Sequence, residues 1–472
     1  MTEVRSYREP AREVPILGEF DVLVVGGGPA GCSAALYAAR HGANVLIVEK
    51  DGYLGGATVS QLSVNINSTN GIDFQGVWHE FMHVMQRLGG VRPIARRKEY
   101  EIHGNLDPEV VKRAWDLLLS EARVSLLHHA YAAGAIIEDG AINGILVETK
   151  AGRAALMARR VIDCTGDGIV CAAAGVPWEQ GDGLYQWAMS CTTLFRLGNV
   201  HKPEGFPTEE HLRRMEQGLR DALERAEYTT PIITSGRVLA VAKEWFSPLP
   251  AYRPELRPNT SRVLQVNPLD PWDITRAERE GREQAWQVAE FYRKYVPGCE
   301  RSYLLDTAAH IGVRSSRRAC GLATLTDQDV IEFHKYRDSI ARGSWHIDLW
   351  PANSYTKDPT PVEDPQYRKR ITRMKAGDYY DIRYGCIVAR GVENLLVAGR
   401  CISAEHVAQA SARLQQTCMS TGQAAGTAAA LSLRLGTLLQ DLDPSLVVNQ
   451  LRTDRASVAP AFDLLKDLPS LE

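Results

Sequence analysis

The sequence predicts an α/β protein: a domain on a parallel sheet with a β-meander, interrupted by an inserted mixed α/β domain. Three stretches predict it. Residues 20–58 read as strand, glycine loop, helix and second strand. Residues 160–168 read as an apolar strand ending in Thr165-Gly166-Asp167. Residues 394–430 read as a strand ending in glycine, a turn and a helix of small residues. Strands alternating with helices make βαβ units and a parallel sheet, which binds ligands at its carboxyl edge.

The first stretch is the most informative. Asp21-Val22-Leu23-Val24-Val25 is a buried strand, followed by Gly26-Gly27-Gly28-Pro29-Ala30-Gly31, a helix over 32–41 and a strand over 43–48 ending in Glu49. Gly26 permits the tight turn, Gly28 lets backbone N–H groups approach a pyrophosphate, and Gly31 lets the helix pack close to the sheet. The helix N-terminus adds partial positive charge. Glu49 is placed to accept hydrogen bonds from ribose hydroxyls, and its charge opposes a 2′-phosphate there. A second pair, Gly55-Gly56, precedes Ala57 and Thr58. It lets backbone run along a long dinucleotide, with Thr58 or Ser60 placed for phosphate or ribityl oxygens.

With that second pair the chain resembles the flavoproteins of the glutathione-reductase type, and more narrowly the FAD-dependent oxidoreductase family. The resemblance spans most of residues 18–435. It recurs at Thr165-Gly166-Asp167, at Gly312-Val313-Arg314 with Arg317-Arg318, at the block 379–386, and at Ala398-Gly399-Arg400 with Gly422-Gln423-Ala424-Ala425-Gly426. The arginines that often flank the second glycine pair in such proteins are absent. The resemblance implies a Rossmann-like FAD-binding domain with an inserted substrate domain, and FAD as cofactor. It places a backbone contact to adenine near Ala132 and sets Thr165 and Gly166 against the adenosine-diphosphate half. The cofactor contacts expected are Gly26, Gly28, Pro29, Ala30, Glu49, Lys50, Gly56, Ala57, Thr58, Ala132, Thr165, Gly166, Gly399, Arg400, and Thr417, Cys418 and Met419 at the start of the last helix. That helix N-terminus suits the flavin edge where negative charge builds on reduction.

Between these blocks lie short β runs at 124–128, 134–137, 142–148 and 154–158, read as the meander. Asp107-Pro108-Glu109 is a helix start. Residues 209–227 and 276–295 read as helices flanking a proline-rich patch at 248–258. The expected division is a lead-in over 1–17, a first FAD-domain part over 18–190, a substrate domain over 191–380, a second FAD-domain part over 381–436 and a helical tail over 437–472.

Function follows as an FAD-dependent dehydrogenase or oxidase moving hydride between flavin N5 and a small organic substrate. His406, after the Ala398-Gly399-Arg400 strand, is the candidate base, with a structural histidine as the alternative. Arg314 and Arg413 are candidates for steadying reduced flavin or orienting substrate. Two other readings stay open: a reductase using a nicotinamide donor, against which stands the lack of a second glycine-loop unit, and an electron-transfer subunit serving a partner protein. A different class is raised by His79-Glu80-Phe81-Met82-His83, which fits the HExxH pattern of zinc hydrolases with Glu99 or Glu101 as third ligand. The apolar face Val77, Phe81, Val84 and Leu88 explains that helix as core packing, so no metal is expected.

Composition sets the remaining bounds. The 472 residues are 44% hydrophobic and 24% charged with a net charge of −3, which gives no electrostatic ground for a nucleic-acid partner. No apolar run is long enough to span a membrane. Residues 1–18 have no signal-peptide core, and the nine cysteines lack any CxxC pair, so free thiols in a cytoplasmic setting are expected. The electron acceptor stays open, and a homo-oligomer is compatible with the sequence.

Overall fold

The computed structural model describes residues 7–68, 75–91, 95–96, 102–181, 186–243, 254–353, 374 and 378–458. The expected opening unit is present. Strand β1 (Ile16–Val25) runs into the glycine loop, helix α1 (Pro29–Arg40) and strand β2 (Val45–Val48). Val22, Leu23, Val24 and Ile47 are fully buried, as befits strands covered on both faces. Helix α2 (Val77–Arg87) and helix α3 (Pro108–Glu121) pack beside them. The Asp107 side chain accepts the N–H of Glu109, capping α3.

Strand β3 (Ser125–Leu127) departs from expectation. It pairs parallel with β2 at the sheet edge and does not belong to the meander. Local alternation cannot distinguish a parallel edge strand from a hairpin arm. The meander proper is β4 (Tyr131–Glu138), β5 (Ala141–Thr149) and β6 (Gly152–Asp163). β6 also absorbs the expected strand before Thr165: one long strand pairs antiparallel with β5 through its first half and parallel with β1 along its length.

The inserted region has its own core. Strand β7 (Phe195–Gly198) lies between β8 (Glu255–Leu256) and β9 (Tyr303–Thr307) in an antiparallel sheet. Helices α4 (Glu209–Glu224) and α5 (Pro271–Tyr295) cover it, burying Phe195, Leu197, Met215, Val288, Phe291 and Tyr292. This core runs from Phe195 to Val296 and Cys299. Leu325, Ile340, Tyr380 and Ile382 pack instead into the dinucleotide core, together with the antiparallel pair β10 (Ser339–Gly343) and β11 (Tyr380–Arg383). Val330 and Ile331 share that core as well.

Strand β12 (Leu395–Val397) then adds to the main sheet beside the second half of β6, parallel to it. Five strands, β3-β2-β1-β6-β12, are therefore parallel, and β4 and β5 extend the sheet from the first half of β6. Helix α6 (His406–Ala412) and helix α7 (Gln415–Leu435) follow. α7 lies against α1 with almost no separation: a Cβ on Gly422 would come within 2.1 Å of the Ala30 carbonyl oxygen, and one on Gly426 within 2.1 Å of that of Ala34. The run of small residues in α7 is what permits this approach.

Candidate functional site

A cavity of about 820 Å³ opens where the carboxyl ends of β1, β6 and β12 meet the inserted region. Its size is that of a small-molecule or cofactor site. Two helix N-termini reach it. α1 begins at Gly28 and Pro29 with no side-chain cap and no acid in its first turn. α7 begins after Leu414, likewise uncapped and without an acid. Both leave their first N–H groups and positive dipole ends directed at whatever fills the cavity.

The glycine loop divides its labour among its glycines. Gly26 has φ +103°, and a Cβ there would sit 2.5 Å from the Cys164 carbonyl oxygen. A Cβ on Gly31 would sit 1.8 Å from the Gly26 carbonyl oxygen. Both are demanded by the fold itself. Gly28 is different: its Cβ would meet only the Gly56 Cα, at 3.8 Å. The protein leaves that space open, and Gly28 and Gly56 both line the cavity. This is the cradle that a pyrophosphate needs.

Glu49 lines the cavity and is 8% exposed. Its Oε2 accepts the Gly27 N–H at 2.6 Å and its Oε1 the Asp51 N–H at 2.9 Å. Burial pushes its carboxyl up, while those two N–H donors pull it back. Each oxygen keeps lone-pair capacity for a ribose hydroxyl. Next to it Asp51 contacts His310 Nε2 at 3.0 Å, and Lys50 Nζ lies 3.3 Å from the same nitrogen. Burial raises the Asp51 carboxyl, but the hydrogen bond from His310 and the Lys50 charge leave it below the usual aspartate value.

The Thr-Gly-Asp turn meets the last strand across the sheet edge. Arg400 Nη2 pairs with Asp167 at 2.7 Å, and Gly166, at φ +76°, leaves room for that guanidinium. Thr165 Oγ1 donates to Asp163 at 2.7 Å. Arg413 Nη2 pairs with Asp348 at 3.1 Å, and Arg314 donates to the Ser190 carbonyl and, at 2.8 Å, to Thr192 Oγ1.

Most expected residues therefore converge. Gly26, Gly28, Pro29, Ala30, Glu49 and Lys50 line the cavity, as do Gly56 and Ala57, Thr165 and Gly166, Gly399 and Arg400, Cys418, Arg314 and Arg413. Five do not. Thr58 is buried and donates to Gln415 Oε1 at 2.7 Å, so it holds the start of α7. Ala132 is packed in the sheet core beneath β5. Thr417 and Met419 face the interior of α7's packing, each 1% exposed. His406 opens α6 after a 3-10 turn over Gly399–Cys401 redirects the chain. That turn region is tied to residues 325–327: Glu405 N–H donates to the Leu325 carbonyl, and Asp327 N–H to Glu405. His406 does not line the cavity.

The cavity has contributors that sequence reasoning did not assign. His310, His346, Trp345, Trp350, Arg257 and Arg262 all line it. His310 preceded the Gly312-Val313-Arg314 block and was available to motif reading. The others lie in irregular segments with no motif or periodicity around them.

The HExxH helix forms as α2, with Phe81 and Val84 buried. Its glutamate is engaged elsewhere: Glu80 receives Arg40 Nη1 at 2.7 and 2.8 Å and Tyr37 Oη at 3.1 Å. His79 and His83 are exposed, and Glu99 and Glu101 lie outside the described residues. Among the described residues no group of three or more metal-ligating side chains forms.

The family described as FAD dependent oxidoreductase matches residues 21–454. The chain belongs to that family. The cradle at Gly28 together with Glu49 fits FAD, the cofactor that the family description names. Two digeranylgeranylglycerophospholipid reductases of Methanopyrus kandleri are similar to parts of it. One is 32% identical over 157 residues, 31% of this chain and 38% of the relative. The other is 29% identical over 196 residues, 40% and 50% of the two chains. The matched region thus spans half or less of these relatives. A crystal structure of a geranylgeranyl bacteriochlorophyll reductase-like protein from Thermoplasma acidophilum is 14% identical, covers 93% of this chain and 84% of that one, and has a TM-score of 0.48. All nine cysteines are free thiols, and among the described residues no helix is long and apolar enough to cross a membrane.

Proposed function

We propose that this oxidoreductase transfers hydride between flavin N5 and a small organic substrate bound in the same cavity. The observation that carries the proposal is the shared cavity: Gly28, Glu49 and Gly56 line it together with arginines, tryptophans and His346. The bound flavin supplies the two-electron chemistry. The chain supplies position and charge. The first turn of α1 and the open space at Gly28 would hold the diphosphate, Glu49 a ribose, and Arg400 with the N-terminus of α7 the edge that gains negative charge.

His346 replaces His406 as the candidate to hold or release the substrate's O–H or N–H proton, because it lines the cavity and His406 does not. Its ring centroid is 4.3 Å from that of Trp345, and such a contact restrains ring orientation.

Anaerobic titration of the FAD-loaded protein with organic substrates tests the proposal. Loss of the oxidised-flavin absorbance on adding an organic substrate is expected. If no organic substrate reduces the flavin while a redox protein partner does, the electron-transfer-subunit reading takes its place. Reduction by a nicotinamide alone would point to the reductase reading.

A further inference from the structure

We propose that Arg262, Arg314 and Trp350 form a subsite for a carboxylate of the substrate. The inference deepens the proposed function and rests on it, since it names the substrate class as an organic carboxylate.

The two guanidinium groups are brought together deliberately. Arg262 Nη1 donates to Thr192 Oγ1 at 3.0 Å, and Arg314 Nη1 donates to the same oxygen at 2.8 Å. Two cations are thus held within about 6 Å of each other, where they repel. Both stack on one ring: the guanidinium carbons lie 4.1 Å and 5.2 Å from the Trp350 centroid. Arg262 is 2% exposed. Its main chain is clamped by Gln284 of α5, which accepts its N–H at 2.7 Å and donates to its carbonyl at 2.8 Å. Such clamping holds an orientation against repulsion.

Among the described residues neither arginine has an ion pair. The remaining partners of Arg262 are the Asn259 side chain at 3.0 Å and the Ser261 carbonyl at 2.5 Å, and Arg314 adds only the Ser190 carbonyl. The Nε of Arg262 is buried with no hydrogen-bond partner. The acid whose charge acts on both is Asp348, and it is bound to a third guanidinium, that of Arg413. Burial and the neighbouring arginines push both groups below the usual arginine value, Arg314 to about 10. Buried charges of one sign with an unsatisfied donor are costly unless an opposite charge arrives. All three residues line the cavity, so the compensating charge can come from a ligand. A carboxylate is planar, presents two acceptor oxygens, and matches the guanidinium fork.

The test uses purified FAD-loaded protein, with binding read by calorimetry and by perturbation of the flavin spectrum. Benzoate and succinate are compared with benzamide and succinamide, and with sulfate. The carboxylates are expected to bind and the amides not. Arg262→Gln and Arg314→Gln are each expected to weaken carboxylate binding about tenfold or more, with flavin content per chain unchanged. Equal binding of acids and amides, or sulfate binding as well as the carboxylates, overturns the proposal; this comparison needs no variant. Loss of flavin in the two variants also overturns it, by assigning the arginines to the cofactor. The redox reading fails separately: a protein that binds carboxylates but whose flavin no organic substrate reduces keeps the subsite and loses the hydride transfer. Reduction by neutral substrates alone does the reverse.

Discussion

Substituting Gly28 and Gly31 of the opening loop should separate folding from cofactor binding. At Gly31 an added Cβ would fall 1.8 Å from a backbone oxygen, with Cys164 Cβ at 3.3 Å behind it. Neither atom is the end of a flexible side chain, so α1 must move off β1. Overpacking of this kind costs about 1–3 kcal/mol or more, and alanine's better helix propensity returns at most about 1 kcal/mol. Gly31→Ala should therefore destabilise the FAD-free protein by about 2 kcal/mol or more. Gly28→Ala meets only one atom, at 3.8 Å, and its φ of −76° suits any residue. Loss of glycine at the helix cap costs about 1 kcal/mol at most. Its methyl group nevertheless projects into the cradle, so FAD affinity should fall about tenfold or more, equivalent to about 1.4 kcal/mol. Urea unfolding of the stripped proteins by circular dichroism and FAD titration by fluorescence quenching measure the two quantities. The reasoning fails if Gly28→Ala binds FAD as tightly as the wild type, or if Gly31→Ala is as stable as Gly28→Ala without cofactor.

Other outcomes follow from the same geometry. Glu49→Gln leaves one of two backbone N–H donors facing an amide, so the FAD-free protein should lose about 1–3 kcal/mol and FAD affinity should fall, both measurable in the same titrations. Because burial raises the Glu49 carboxyl, wild-type FAD affinity should weaken on acidification already above the ordinary glutamate midpoint, and Glu49→Gln should flatten that dependence. His334 is raised by its bonds to Asp329 and Glu332, and Asp329 is lowered despite burial, mainly by the Tyr336 hydroxyl. The His334 contribution is then complete below the unfolded histidine pKa and lost as pH rises through the folded value; the Asp329 contribution is lost as pH falls through its depressed value. His334→Gln should remove the alkaline loss in a series of melting temperatures across pH. A chelator should leave turnover unchanged, whereas Glu80→Gln, which breaks the pairing with Arg40, should lower stability by about 1 kcal/mol or less in urea titrations.

The opening unit was legible because its backbone makes demands that only glycine meets. Gly26 and Gly31 stand where any Cβ would strike main chain, so residue type and position are coupled. The same holds for α7, whose small residues record the closeness of α1. His406 does not line the cavity, because nearness in sequence to Arg400 is not nearness in space. The 3-10 turn and the ties of Glu405 to residues 325–327 direct His406 elsewhere. Arg262, His346 and Trp350 left no trace in the sequence. They sit in irregular segments whose positions depend on long-range contacts, such as the grip of Gln284 on Arg262. A buried unpaired arginine and a solvated one look alike until the fold is known.

The central claim is that one cavity holds FAD along the glycine loop and an organic carboxylate at Arg262 and Arg314. A crystal structure of the FAD-loaded protein soaked with succinate tests it most directly. The account predicts diphosphate density against the first turn of α1 beside Gly28, and carboxylate density bonded to both guanidinium groups. Diphosphate bound to the arginine pair, or FAD lying outside this cavity, would contradict it.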